Sequence, residues 1–198
     1  MYLQWLLLKI FAFFSRRPHI ASFLLYINPA THQPIQNQTL TSLRITPDLF
    51  SKTLHTNLSG AFYSTQSAAR QMSTQSPPGG SIIGISSISA LVGGGLQTHY
   101  TPTKAGVLSL MQSLAVALGK YNIRCNALLP GTIKTQLNEE DLKDEGKRRY
   151  MEGRIPLGRT GEPRDLAGPA VFLACEELSG YVNGAQLLVD GGLFVNLQ

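Results

Sequence analysis

No glycine precedes Gly60, although the 198-residue chain contains 19 of them, the last at Gly192. A turn that lets the backbone approach phosphates closely depends on glycine, so no such turn lies in the stretch ahead of Gly60. Cysteine is equally scarce. Cys125 and Cys175 are the only two, with no CxxC pair and no His/Cys ligand spacing. That excludes a disulfide scaffold and a structural zinc site, so no metal is expected. Both cysteines lie in apolar surroundings and read as reduced core residues of a cytoplasmic protein. No unbroken apolar run reaches the roughly 20 residues that span a bilayer. The run at residues 3–14 is interrupted by Gln4 and Lys9 and stopped by Arg16-Arg17-Pro18, and a second run, 21–27, is short. The first run also lacks the basic flank of a secretory leader, which leaves membrane contact by residues 1–27 as a minor reading. A dominant charge of one sign is missing too. The first 50 residues hold four basic side chains against Asp48, and the remainder holds 13 basic and 11 acidic. So balanced a body does not present a nucleic-acid surface. Lys147-Arg148-Arg149 follows several acidic residues and reads as a solvated helix face.

Hydrophobic residues make up 43% of the chain and charged residues 15%, enough apolar material for a folded core. The composition shifts near residue 47. Residues 1–46 form an atypical segment, apolar at first and then, over 28–46, a loop rich in Pro, Thr, Gln and Asn. The sequon at Asn37 falls there and matters only in a secreted protein. Residues 47–198 are regular. Thr46 caps a helix that starts at Pro47 and runs past Asn57 towards Met72. Pro77-Pro78-Gly79-Gly80 is a turn, and residues 81–86 form a short buried strand. A helix spans 102–118, with Ala105, Leu108, Met111, Leu114 and Leu118 on one face and Gly119 as its C-cap. A strand at 123–129 ends at Pro130-Gly131. A charged helix or lid follows at about 136–151, then a helix at 163–174 and a last strand at 186–189. Strands alternating with helices predict an α/β sheet of about three parallel strands with right-handed crossovers.

The chemistry concentrates between Ser87 and Lys104. Tyr100 and Lys104 lie four apart at the start of a helix, so their side chains share one face. An ammonium beside a phenol favours the phenolate, and a tyrosine tuned in that way exchanges protons with an alcohol or carbonyl oxygen. Ser87 follows the buried strand, at the end where open α/β sheets hold ligands. His99 reads as a pocket wall or surface residue, Ser86 as structural, and Asp190 as the residue that fixes the turn after the last strand. Gly93-Gly94-Gly95 is a flexible stretch rather than a phosphate loop, because no strand leads into it.

Taken together and in order, Asn57-Leu58, Gly80-Ser81, Ile85-Ser86-Ser87, Tyr100-Thr101-Pro102-Thr103-Lys104, Asn126, Pro130-Gly131 and Val189-Asp190-Gly191-Gly192 resemble the short-chain dehydrogenase/reductase family over residues 47–198. Residues 86–104 and the C-terminal ending resemble its fungal members that oxidise L-rhamnose. The resemblance implies a Rossmann-like three-layer parallel sheet, truncated at the N-terminus. It implies that Tyr100 is the general acid/base, that Ser87 orients the substrate hydroxyl, and that Lys104 lowers the Tyr100 pKa and bonds the nicotinamide ribose. Asn57 would hold a water of the proton relay. Pro130, Gly131, Ile133 and Thr135 would border the nicotinamide, and Ser89 and Gln97 the substrate, together with the lid beyond Gln136.

The cofactor so implied is NAD or NADP, and the substrate a small alcohol or sugar, possible products including the lactone of L-rhamnose. An intact member would form a homo-oligomer. The family's glycine-rich turn and its Asn-Asn-Ala-Gly-like segment have no match. The alternative is therefore a catalytically inactive fragment that only associates with family subunits.

Overall fold

The structure, a computed structural model, describes residues 23–26, 42–135 and 138–196. The apolar run at 3–14 and the sequon at Asn37 lie outside the described residues. Four parallel strands form one sheet in the order β1 (Phe23–Tyr26), β2 (Gly80–Ile85), β3 (Ile123–Pro130) and β4 (Gln186–Val189). The sequence reading of about three strands thus falls one short. Part of the second apolar run pairs with β2, with Phe23 opposite Ser81 and Tyr26 opposite Gly84.

Helices cover both faces, as a parallel sheet requires. Side chains alternate across a strand, so Ile82 and Ile83 serve opposite layers. Ile82, Cys125, Ala127 and Leu129 pack with Ala69 and Met72 of α2 (Gly60–Thr74) and with Leu108, Met111 and Ala115 of α3 (Thr101–Leu118). Ile83 and Leu128 pack on the other side with Leu173 and Ala174 of the helix at Ala167–Ala174. The three-layer α/β architecture follows.

The first long helix departs from simple periodicity. Thr46 caps α1 (Pro47–Leu54) by accepting from Leu49 N at 3.2 Å. A π-helical turn, His55–Ser59, then joins α1 to α2, with Gly60 N donating to the His55 carbonyl. The wider turn shifts the helix register and buries Asn57 to 1% exposure. After α3, Gly119 is the C-cap with helical dihedrals, and the left-handed residue is Asn122, at φ 58°. The charged stretch forms α4 (Glu139–Lys143) and α5 (Glu145–Gly153). Pairs one turn apart, Lys143 with Glu139 and Arg149 with Glu145, lie on an exposed helix face. A 3₁₀ turn (Pro163–Leu166) leads into α6 (Ala167–Ala174), and α7 (Glu176–Ser179) precedes β4. Both cysteines are free. Among the described residues no helix is long and apolar enough to cross a membrane.

Arg124 bolts the second helical layer to the sheet. Its guanidinium donates to the carbonyls of Leu173 (3.0 Å) and Val182 (3.3 Å) and to Glu176 Oε2 (3.0 Å). The arginine side chain is 6% exposed and the glutamate 48%, so the carbonyl bonds matter more than the ion pair. Arg124→Met is expected to lower stability by about 2 kcal/mol, against less than about 1 kcal/mol for Glu176→Gln. Urea unfolding of the two variants checks this, and equal losses would assign the effect to the ion pair.

Candidate active site

The site lies at the C-terminal ends of β2 and β3, where the sheet delivers chain to one edge. Ser86 N donates to the Leu128 carbonyl at 2.8 Å and continues the ladder beyond Ile85. Ser86 Oγ donates to the Lys104 carbonyl at 2.8 Å, so this serine ties the strand end to α3, a structural role. Ser87 then turns away in extended backbone and caps a short 3₁₀ turn, its Oγ accepting from Ser89 N at 3.1 Å. That leaves the Ser87 hydroxyl proton free to serve another oxygen. Ser87 stands beside the Tyr100 phenol, near enough to lower its pKa. Ser89 Oγ in turn donates to Gln97 Oε1 at 3.3 Å. Ser87, Ser89, Gln97 and Tyr100 therefore form one polar cluster.

Tyr100 stands at the N-terminus of α3, and Pro102 fits the first turn because no backbone N–H is needed there. Lys104 follows one turn later. Its Nζ lies 5.6 Å from the centre of the Tyr100 ring and donates to the Ile85 carbonyl at 3.1 Å. Burial pushes the Tyr100 phenol up to about 12, partly offset by the neighbouring Ser87 side chain. Burial also pulls the Lys104 ammonium down to about 8. Burial sets the direction at Tyr100, with the Lys104 ammonium beside the ring. One of the three ammonium protons is directed at the Ile85 carbonyl.

Asn57 reaches this cluster through a residue to which the sequence reading gave no role. Its Nδ2 donates to Thr103 Oγ1 at 2.9 Å, and Thr103 Oγ1 donates to the Tyr100 carbonyl at 2.7 Å. The spacing of Thr103, three after Tyr100 within one helical turn, was the available signal.

The loop after β3 lies alongside. Gly131 N donates to the Val189 carbonyl at 3.0 Å. A Cβ on Gly131 would stand 2.7 Å from Asp190 Cβ and 2.8 Å from its Cα, so only glycine lets β3 and the turn after β4 approach this closely. Asp190 holds that turn as expected, accepting from Gly192 N (3.0 Å) and Phe194 N (2.7 Å). Ile133 bridges to Gly161. Asn138, also unnoticed in the sequence, fixes the loop. It accepts from Thr135 N at 2.9 Å and donates to the Ile133 carbonyl at 2.9 Å. Gln136 lies outside the described residues. A polar cavity of about 240 Å³ lined by Lys134, Leu142, Arg148, Glu152 and Thr160 lies against α4 and α5.

His99 is 1% exposed, so the surface half of its reading is overturned. Neither ring nitrogen has a hydrogen-bond partner among the described residues, and burial lowers its pKa. Among the described residues no group of His, Cys, Asp or Glu is assembled to hold a metal.

Residues 26–194 match the family described as enoyl-(acyl carrier protein) reductase, reaching back beyond the composition change near residue 47. The chain belongs to the short-chain dehydrogenase/reductase family. It is 73% identical over 156 residues to an L-rhamnose-1-dehydrogenase of Scheffersomyces stipitis, covering 79% of this chain and 60% of that enzyme. It is 66% identical over 151 residues to an L-rhamnose 1-dehydrogenase (NAD(P)(+)) of Azotobacter vinelandii, covering 76% and 58%. The chain thus spans about three fifths of the length of these curated relatives. Among solved structures it resembles a gluconate 5-dehydrogenase of Burkholderia cenocepacia in complex with NADP and tartrate. That match has a TM-score of 0.80 at 31% identity and covers 96% of this chain and 71% of the other.

Proposed function

We propose that this chain carries the catalytic residues of an NAD(P)-dependent dehydrogenase that oxidises a secondary alcohol or sugar hydroxyl, with L-rhamnose oxidised at C1 to its lactone. The observation that carries this reading is the placement of Ser87 and of the Lys104 ammonium beside Tyr100, past the C-terminal end of β2. The identity to the relatives named for L-rhamnose supports the substrate.

The residues present fit the nicotinamide-ribose end of the cofactor. Lys104 offers an ammonium and Tyr100 a hydroxyl, both donors suited to ribose oxygens, and Gly131 presents a face without a side chain. The Thr135 hydroxyl has one weak contact, 3.5 Å from Asn138 Oδ1, and is available to a carboxamide or phosphate. For the pyrophosphate end, no glycine precedes Gly60 to form the turn. When bound, the nicotinamide supplies the hydride acceptor.

Everything else falls to the chain's own side chains. Ser87 donates to the substrate hydroxyl oxygen and holds it against Tyr100. Tyr100 in its phenolate form takes the hydroxyl proton at Oη as C1 becomes a carbonyl carbon. The Lys104 ammonium stabilises the negative charge passing through the phenol oxygen, and Asn57 keeps the relay leading away from Lys104 in place. Ser89 and Gln97 give hydrogen bonds to further sugar hydroxyls, which would otherwise lose water without compensation. Two such chains associate through their long helices in this reading.

Purified protein incubated with L-rhamnose and NAD⁺ or NADP⁺ is expected to generate absorbance at 340 nm. Folded protein that gives no signal with either cofactor, yet co-purifies with full-length family subunits, would favour the inactive-fragment reading instead.

A further inference from the structure

We propose that Thr103 is a positioning residue, which locks the Asn57 side chain to the first turn of the helix that carries Tyr100 and Lys104; the catalytic meaning of this lock rests on the dehydrogenase reading above. Thr103 is fully buried, at 0% exposure, so it does not touch substrate. Its hydroxyl has a single proton, and that proton goes to the Tyr100 carbonyl at 2.7 Å. The oxygen is then left as an acceptor, and it takes Asn57 Nδ2 at 2.9 Å. The direction of the chain of bonds is therefore fixed. Asn57 must present its amine to Thr103, which determines the orientation of the whole amide.

The link joins two elements that sequence separates widely. Asn57 comes from the π-helical turn between α1 and α2, where the shifted register turns it inward. Thr103 comes from the first turn of α3. The carbonyl it caps also accepts from Thr103 N (3.0 Å) and Lys104 N (3.2 Å), so one oxygen gathers the turn that spaces Tyr100 from Lys104. The β-branched side chain keeps few rotamers in a helix, which holds the hydroxyl in place. Loss of the hydroxyl would remove a buried bond of the Asn57 amide and loosen its hold on the first turn of α3.

The test uses the full chain, ¹⁵N-labelled, with the Asn57 side-chain amide assigned by its disappearance in Asn57→Asp. Wild-type protein is expected to show one protected Asn57 amide proton. Thr103→Val should speed its exchange by about tenfold or more, as expected when a buried bond is lost, while Thr103→Ser should stay within about threefold of wild type. In turnover, Thr103→Val should lower kcat by about tenfold with KM within about threefold, and Thr103→Ser should restore it. If the wild-type chain does not turn over, the dehydrogenase reading fails and the exchange measurement alone decides the lock. Should Thr103→Val not fold, Thr103→Ala, which leaves room for water, replaces it. Unchanged protection in the hydroxyl-free variant, or no rescue by serine, overturns the proposal.

Discussion

Tyr100→Phe is expected to reduce NAD(P)H formation by about 10³-fold or more while leaving the fold intact. The phenol oxygen is the one group in the cluster placed to accept the substrate proton, and phenylalanine removes it without changing the ring that packs beside Lys104. Ser87 cannot substitute. A serine hydroxyl is a far weaker acid than a phenol, and its oxygen already accepts from Ser89 N. Loss of the phenol oxygen costs about 1 kcal/mol of stability at most, because the tyrosine is partly exposed. Turnover and the urea midpoint should therefore separate cleanly. A variant that keeps a tenth of wild-type activity would remove Tyr100 from the proton transfer. One that loses activity and several kcal/mol together would show a structural role. The raised phenol, about 12, also gives a direction for pH. The proton-accepting form grows as pH rises, so oxidation should accelerate through the alkaline range until the fold itself weakens.

Which parts of this site were legible in the sequence depended on distance along the chain. Tyr100 and Lys104 share a helical turn, so spacing alone put them on one face. β2 and β3 were legible because each is a short, largely apolar run marked off by turn residues, Pro77-Pro78-Gly79 ahead of β2 and Pro130-Gly131 at the end of β3. β1 was not. It has only four residues, it sits among Pro- and Thr-rich neighbours, and its partner Gly80–Ile85 lies far along the chain. The π-helical turn was hidden for a different reason. Inserting one residue into a turn changes which side chains face inward but not the local helix propensity, so residues 47–72 read as one ordinary helix. Thr103 was in view as part of a resemblance, but its hydrogen bond to Asn57 is tertiary and no local pattern encodes it. The raised pKa of Tyr100 was out of view for the same reason, since spacing shows the neighbouring cation but not the depth of burial.

Lys104→Met should make the protein more stable at pH 7 while lowering turnover by about 10²-fold or more. The lysine is 4% exposed, with a carbonyl acceptor at Ile85 and an aromatic ring as its neighbours. Its pKa drops from 10.5 to about 8, so the folded state holds the ammonium less well than the unfolded state by roughly 3 kcal/mol. At pH 7 lysine is protonated in both states and the fold carries that whole penalty. Between about pH 8 and 10.5 the unfolded chain keeps its proton and the folded chain has lost it, so stability rises with pH. Tyr100 acts oppositely. From about pH 10 the unfolded phenol ionises while the folded one holds its proton up to about 12, and stability falls. Methionine fills a similar volume without charge but leaves the Ile85 carbonyl unpaired, so the net gain at pH 7 is about 1–2 kcal/mol. Urea unfolding at pH 7 and pH 9.5 separates the contributions. Wild type should gain stability between the two pH values, and Lys104→Met should not. A destabilised Lys104→Met at pH 7, or an undiminished rise in that variant, would mean the buried ammonium is better compensated than its surroundings indicate. If the gain appears together with the loss of turnover, the site holds its cation at the expense of the fold, which is what a charge kept for proton transfer rather than for packing requires.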